Sequence, residues 1–277
     1  MIGKRFLPFL EEFELNFEYK DNYNFYDLVE ILRILRQPGG CPWDAEQTHE
    51  SIRRNFIEET YEVIEAIDKK DSELLCEELG DAVLQVVFHA QIEQDAGGFN
   101  IDDVCDGVCK KLIIRHPHVF GDVVADTTDQ VLANWDAIKM QTKSQKTQAE
   151  ALDSVSHALP ALIRSHKVQH KAAKCGFDWK DVSGALDKLT EEVEELREAV
   201  ASSDKQACFD ELGDVLFSAV NVSRFIDAEP EHALSSSCDK FIARFAKVEE
   251  LALSRGVDMK TATLEELDAL WDEVKKQ

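Results

Sequence analysis

ELGDAVLQVVFHAQ at residues 78–91 and ELGDVLFSAVNVSR at 211–224 are one segment met twice, 133 residues apart. The same spacing of 133 relates EETYE at 58–62 to EEVEE at 191–195, Ala66 to Ala199, Asp71 to Asp204 and Val87 to Val220. Self-similarity at a fixed spacing is the mark of a duplicated structural unit. Farther on, Lys111-x-x-x-Arg115 matches Lys240-x-x-x-Arg244 at a spacing of 129. A loop about four residues longer in the first copy, at Asp95-Ala96-Gly97-Gly98, accounts for that shift.

Working outward, each copy reads as helices. In the first, 25–36 is amphipathic and stops at Pro38-Gly39-Gly40, and helices follow over 50–68, 72–94 and 101–115, the last closed by Pro117. Leu79 to Ala90 is so apolar that this part of the third helix is expected to be buried nearly all round. The counterparts in the second copy span 160–174, 182–202, 204–226 and 231–255. A further helix over 263–275 starts at Thr263 with Glu266 three residues on, a capping-box pattern. No useful strand pattern of period two exists. The class is all-α, a tandem duplication of a four-helix module. The expected boundaries are an N-terminal extension at 1–24, a first domain at 25–140, a polar linker at 141–159 and a second domain at 160–277.

Glu59 and Glu62 lie i,i+3 on one helix face, and Glu78 and Asp81 do so on the next helix. The connection near 69–72 is short, so the two helices pack antiparallel and four carboxylates meet. Glu192, Glu195, Glu211 and Asp214 meet likewise in the second copy. Acids make up about one residue in five, so one such four-acid pattern arises by chance at about 0.002 per window and alone proves little. Two copies at one spacing weigh far more. Asp81 and Asp214 also sit inside apolar runs, where an unpaired carboxylate is costly. Crowded carboxylates either take up protons or recruit a cation. An all-oxygen ligand set without His or Cys selects Mg²⁺ or Mn²⁺, ions that bridge carboxylates to substrate phosphates.

The composition excludes other classes. The 277 residues carry a formal net charge of −24, which repels nucleic-acid polymers and anionic lipid surfaces. No apolar run is long enough to span a membrane, and acids at Glu11, Glu12 and Glu14 interrupt the start too early for a signal peptide. Seven scattered cysteines make neither a disulfide framework nor a zinc site and point to a reducing cytoplasm. A di-iron centre needs Glu-x-x-His on two helices. The match at Glu229 to His232 has Pro230 inside it.

GGCPWDAEQTHESI (39–52), EETYEVIEAI (58–67), ELGDAVLQVVFHAQ (78–91), RHPHVFGD (115–122) and CGFDW (175–179) resemble the two-domain MazG proteins in order and spacing. The resemblance spans about 28 to 275. It implies the all-α NTP pyrophosphatase fold and Mg²⁺-dependent hydrolysis of NTPs and dNTPs, ATP among them, to NMP and pyrophosphate. It also implies a homodimer. The family's ExxE…ExxD acids fall on Glu59, Glu62, Glu78 and Asp81, and on Glu192, Glu195, Glu211 and Asp214. The copies differ around these acids. Lys188 lies one turn before Glu192, placed to reach a phosphate, where the first copy has Asn55. Asn221 follows Asp214 by two turns, where the first copy has Phe88. The second copy is therefore the expected catalytic site, with Glu192 or Glu195 as general base. Lys240 and Arg244 are expected on phosphate. Trp271 either stacks on the base, as the matching family segment suggests, or anchors the last helix; Trp43 and Trp179 are expected to be packing anchors.

Overall fold

The structure is a computed structural model that describes residues 17–128, 130–131, 134–135, 138 and 147–276. Residues 1–16 of the expected extension and 141–146 of the expected linker lie outside the described residues. The chain divides into two compact units, Met1–Lys139 and Met140–Gln277. No strand occurs among the described residues.

The first unit contains α1 (Phe25–Arg36), α2 (Pro42–Glu46), α3 (His49–Lys69), α4 (Ser72–Asp95), α5 (Ile101–Arg115) and α6 (Pro117–Phe120). Side chains set where they start. Asn24, Thr48 and Asn100 each close a capping box, and Asp71 accepts hydrogen bonds from the Glu73 and Leu74 amides at the head of α4. Lys70 takes the left-handed conformation (φ 55°), so two residues suffice to reverse the chain and lay α4 along α3. Leu32, Ile52, Val87, Phe88, Ala90 and Ile101 form the core, drawing α1, α3, α4 and α5 together.

The second unit contains α7 (Gln148–Asp153), α8 (Ala161–Lys174), α9 (Val182–Ser202), α10 (Lys205–Phe225), α11 (Pro230–Ser254) and α12 (Leu264–Lys275). Its central hairpin repeats the first. Ser203 is left-handed (φ 58°) where Lys70 was, and Asp204 caps α10 as Asp71 caps α4. The repeated Ala66 and Ala199, and Val87 and Val220, are buried in both. Thr263 and Glu266 make the expected capping box, and Glu229 caps α11 by accepting from the His232 amide, a purely structural use of that Glu-x-x-His. A second core joins Val248 and Ala252 of α11 to Leu270 and Val274 of α12.

One expectation changes. Leu79, Val83 and Val86 are exposed, so α4 is buried on one face rather than all round. Among the described residues of its unit this helix packs on α3, α1 and α5. Short α7 falls in the segment read as a linker with some helix; Lys171 of α8 donates to the Ala151 carbonyl at 2.6 Å, and Val155 just beyond α7 is buried.

Leu32 is 1% exposed at the centre of the first core. Leu32→Ala is expected to destabilise this unit by about 2–5 kcal/mol, read as a lower denaturant midpoint with an unchanged slope.

Candidate functional site

The hairpins bring the repeated acids together. In the second unit, carboxylate oxygens of Glu192, Glu195 and Glu211 lie within 4.8 Å of one another. Glu192 is buried on α9, and the Lys188 ammonium one turn earlier lies 2.6 Å from its Oε1 and 2.8 Å from Glu191 Oε1. Those two carboxylates push the Lys188 pKa up, so it stays a cation throughout the working range. A hydrogen bond to Glu192 and, behind it, desolvation raise the Glu195 pKa.

The first unit carries the parallel group of Glu59, Glu78 and Asp81, also within 4.8 Å. Burial, followed by Asp81 and Glu62, raises the Glu59 pKa. Burial, followed by Glu62, raises that of Glu78. Glu62 and Asp214 lie outside the two tightest trios. Asp81 and Asp214 are both exposed, which corrects the argument that an apolar run would make them costly buried charges. The apolar residues beside them, Leu79, Val83, Leu212 and Leu216, are exposed too.

The units differ beyond the acids. In the second, a cavity of about 550 Å³ begins at Lys188, Glu192 and Asp214 and runs to Asn221 and Arg224. Its walls include Val168, Phe177, Trp179 and Phe217. The loop carrying Phe177 and Trp179 is fixed by Gly176, at φ +83°, and by Arg224, whose Nη2 lies 2.6 and 2.7 Å from the two Asp178 carboxylate oxygens. Trp179 packs so closely on Gly184 that a Cβ there would come 2.8 Å from its ring. In the first unit, Phe88 occupies the place of Asn221, buried, with the Arg36 guanidinium 5.3 Å from its ring centroid. Arg36 is committed there: it reaches Asp95 at 2.8 Å and donates to the Asp44 and Gln47 carbonyls.

Of the sequence candidates, Lys188, Glu192, Asp214 and Asn221 line the cavity, and Glu195 and Glu211 adjoin it through Glu192. Lys240, Arg244 and Trp271 do not line it. Trp271, partly buried, packs on the α11–α12 core, 5.1 Å from Phe241. Sequence reasoning passed over Gln169, Asp178 and Arg224 and treated Trp179 as packing alone. The available signal was the i,i+3 series Ser218, Asn221, Arg224, which departs from Gln85, Phe88, Gln91 at the same positions of the repeat.

The acid groups suit a hard divalent cation: oxygen donors only, closely spaced, with pKa values raised by burial at Glu59 and Glu78 and by the hydrogen bond to Glu192 at Glu195. Glu59, Glu78 and Glu195 bind more protons folded than unfolded just above the ordinary carboxylate range. Their contribution to stability is complete at low pH and is lost as pH rises through the raised values. In chelator, the thermal midpoint is expected to fall as pH rises from the ordinary carboxylate range to just above it. Millimolar Mg²⁺ is expected to restore it, and Glu195→Gln to lessen the fall.

A domain family described as the MazG nucleotide pyrophosphohydrolase domain matches residues 47–120 and 181–249. A nucleoside triphosphate pyrophosphohydrolase/pyrophosphatase MazG of Thermotoga maritima is 45% identical over 251 residues, covering 91% of this chain and 95% of that protein. A nucleoside triphosphate pyrophosphohydrolase of Escherichia coli is 42% identical over 255 residues, covering 90% and 96%. The uncharacterized protein YabN of Bacillus subtilis is 45% identical over 255 residues, 92% of this chain but 52% of that longer protein.

Proposed function

The chain belongs to the MazG nucleotide pyrophosphohydrolase family, and from that premise we propose that its second unit hydrolyses NTPs and dNTPs to NMP and pyrophosphate with Mg²⁺, or Mn²⁺ in its place. One observation carries the assignment to this unit: Glu192 belongs both to the acid trio and to the wall of the cavity, so phosphates and nucleoside have adjoining places.

Glu192, Glu195 and Glu211 would hold the cation, with Asp214 one turn beyond Glu211 as a further ligand. Bound there, Mg²⁺ neutralises the triphosphate and favours in-line attack by water. Lys188 supplies a fixed cation at the junction of acids and cavity and holds Glu192 in place. Glu195, the exposed one of the two candidate bases, is the better placed to accept the proton from the attacking water. Aromatic walls bind any base by surface contact, which supports broad base selection and a role in sanitising nucleotide pools or controlling a stress nucleotide. Lys240 and Arg244 remain candidates for phosphate contact.

The first unit keeps the acids but has Asn55 at the position of Lys188 and Phe88 at that of Asn221, and its pocket of about 530 Å³ lies at Arg36, Gln91 and Asp95 and is not lined by the acids; its site is the weaker one in this reading. A homodimer is part of the proposal. The exposed apolar positions on α4 and α10, Leu79, Val83, Leu212 and Leu216 among them, are suited to burial against a second copy. The seven cysteines are free, in keeping with the reducing cytoplasm expected from the sequence. No helix among the described residues is long and apolar enough to cross a membrane.

Anion-exchange analysis of products from a panel of NTPs and dNTPs in Mg²⁺ tests the reaction. NMP and pyrophosphate are expected. Glu211→Gln is expected to lower turnover by about 100-fold or more, whereas Glu78→Gln retains most of it. NDP and phosphate as products would refute the assignment.

A further inference from the structure

The end of the cavity away from the acids holds a set of polar atoms that the fold leaves without partners. Gln169 of α8 is 6% exposed, and its Nε2 donates to the Phe217 carbonyl at 2.7 Å. That bond fixes the amide: turned over, Oε1 would face another carbonyl oxygen, acceptor against acceptor. Oε1 is therefore the free end, and it has no hydrogen-bond partner among the described residues. Asn221, one turn after Phe217, likewise has an unpartnered Oδ1, and Arg224, one turn further, an unpartnered Nε. All three side chains line the same cavity. Buried polar atoms left unmatched cost stability, and three at one end of one cavity call for a common cause.

On the reading that this cavity receives a nucleotide, we infer that Gln169 is a base-recognition residue, its Oε1 accepting a hydrogen bond from an N–H on the pairing edge of the nucleobase, with Asn221 alongside. The placement supports this. Lys188, Glu192 and Asp214 occupy the acid end, where the phosphates go, and the base reaches the opposite end between Trp179 and Phe217. A volume of about 550 Å³ suits a nucleoside. Every common base carries such an N–H: the amino groups of adenine and cytosine, the ring N–H and amino group of guanine, the ring N–H of uracil and thymine. One acceptor thus admits all of them. It rejects a ring that offers no donor, because binding that ring would leave Oε1 buried and unmatched. Breadth among natural bases and selectivity against a donor-free base follow from the same atom.

The test compares kcat/KM for ATP and for purine riboside 5′-triphosphate, which lacks the 6-amino group and any ring N–H. The wild-type protein is expected to favour ATP by about 10-fold or more, mostly through KM. Gln169→Met, which keeps the length and removes the acceptor, is expected to bring the ratio to within about 3-fold of unity. A wild-type ratio near one overturns the inference without any variant, so a misfolded Gln169→Met protein does not shield it. A folded Gln169→Met protein with an unchanged ratio also overturns it. Should neither triphosphate be hydrolysed, the proposed function is at fault rather than this inference. Calorimetric binding of AMP against purine riboside 5′-monophosphate then decides the inference, with tighter AMP binding expected and equal binding overturning it.

Discussion

Carboxylates held within 4.8 Å of one another on a two-helix hairpin are the constraint on which the rest depends. The hairpin exists because one left-handed residue and one capping aspartate turn the chain in two steps, at Lys70-Asp71 and again at Ser203-Asp204. The i,i+3 spacing puts two acids on the facing side of each helix, and three of each four come together. Burial and neighbouring carboxylates raise the pKa values of Glu59, Glu78 and Glu195, and the crowding makes each group a receptor for positive charge. A chain with a net charge of −24 can thereby hold a polyanionic substrate, with cations placed between two sets of negative charge.

The two copies show what duplication frees. Both keep the hairpin, its cap, the buried alanine and valine, and the acids. The difference lies two turns past the ELGD string, where Asn221 opens a polar corner and Phe88 closes it under Arg36. Arg36 makes an ion pair and two hydrogen bonds to backbone carbonyls, so reopening that pocket would break several contacts at once. The first unit is thus packed around Phe88 where the second has its cavity, and its own pocket of about 530 Å³ lies at Arg36, beside Gln91 and Asp95.

Most of the architecture was legible in the sequence because the repeat is legible. The helix start at Thr263 falls where its capping box places it, and the acid clusters follow from helical spacing. Three kinds of feature were not legible. Burial of α4 was overestimated, since apolar periodicity registers a hydrophobic surface but not whether a neighbour covers it. Exposed Asp81 and Asp214 follow from the same error. The cavity residues Gln169, Asp178, Trp179 and Arg224 come from three separate segments, and only the packing of α8 and the FDW turn on α10 unites them. Trp271 carried an aromatic signal that base stacking and core packing share.

The central claim is that cation-mediated nucleotide binding belongs to the second unit. Equilibrium dialysis with an NTP analogue carrying a methylene bridge between the α and β phosphates tests it most directly. The account predicts one nucleotide bound per chain in Mg²⁺ and none in chelator. Two per chain, or equal binding without a divalent cation, would contradict it.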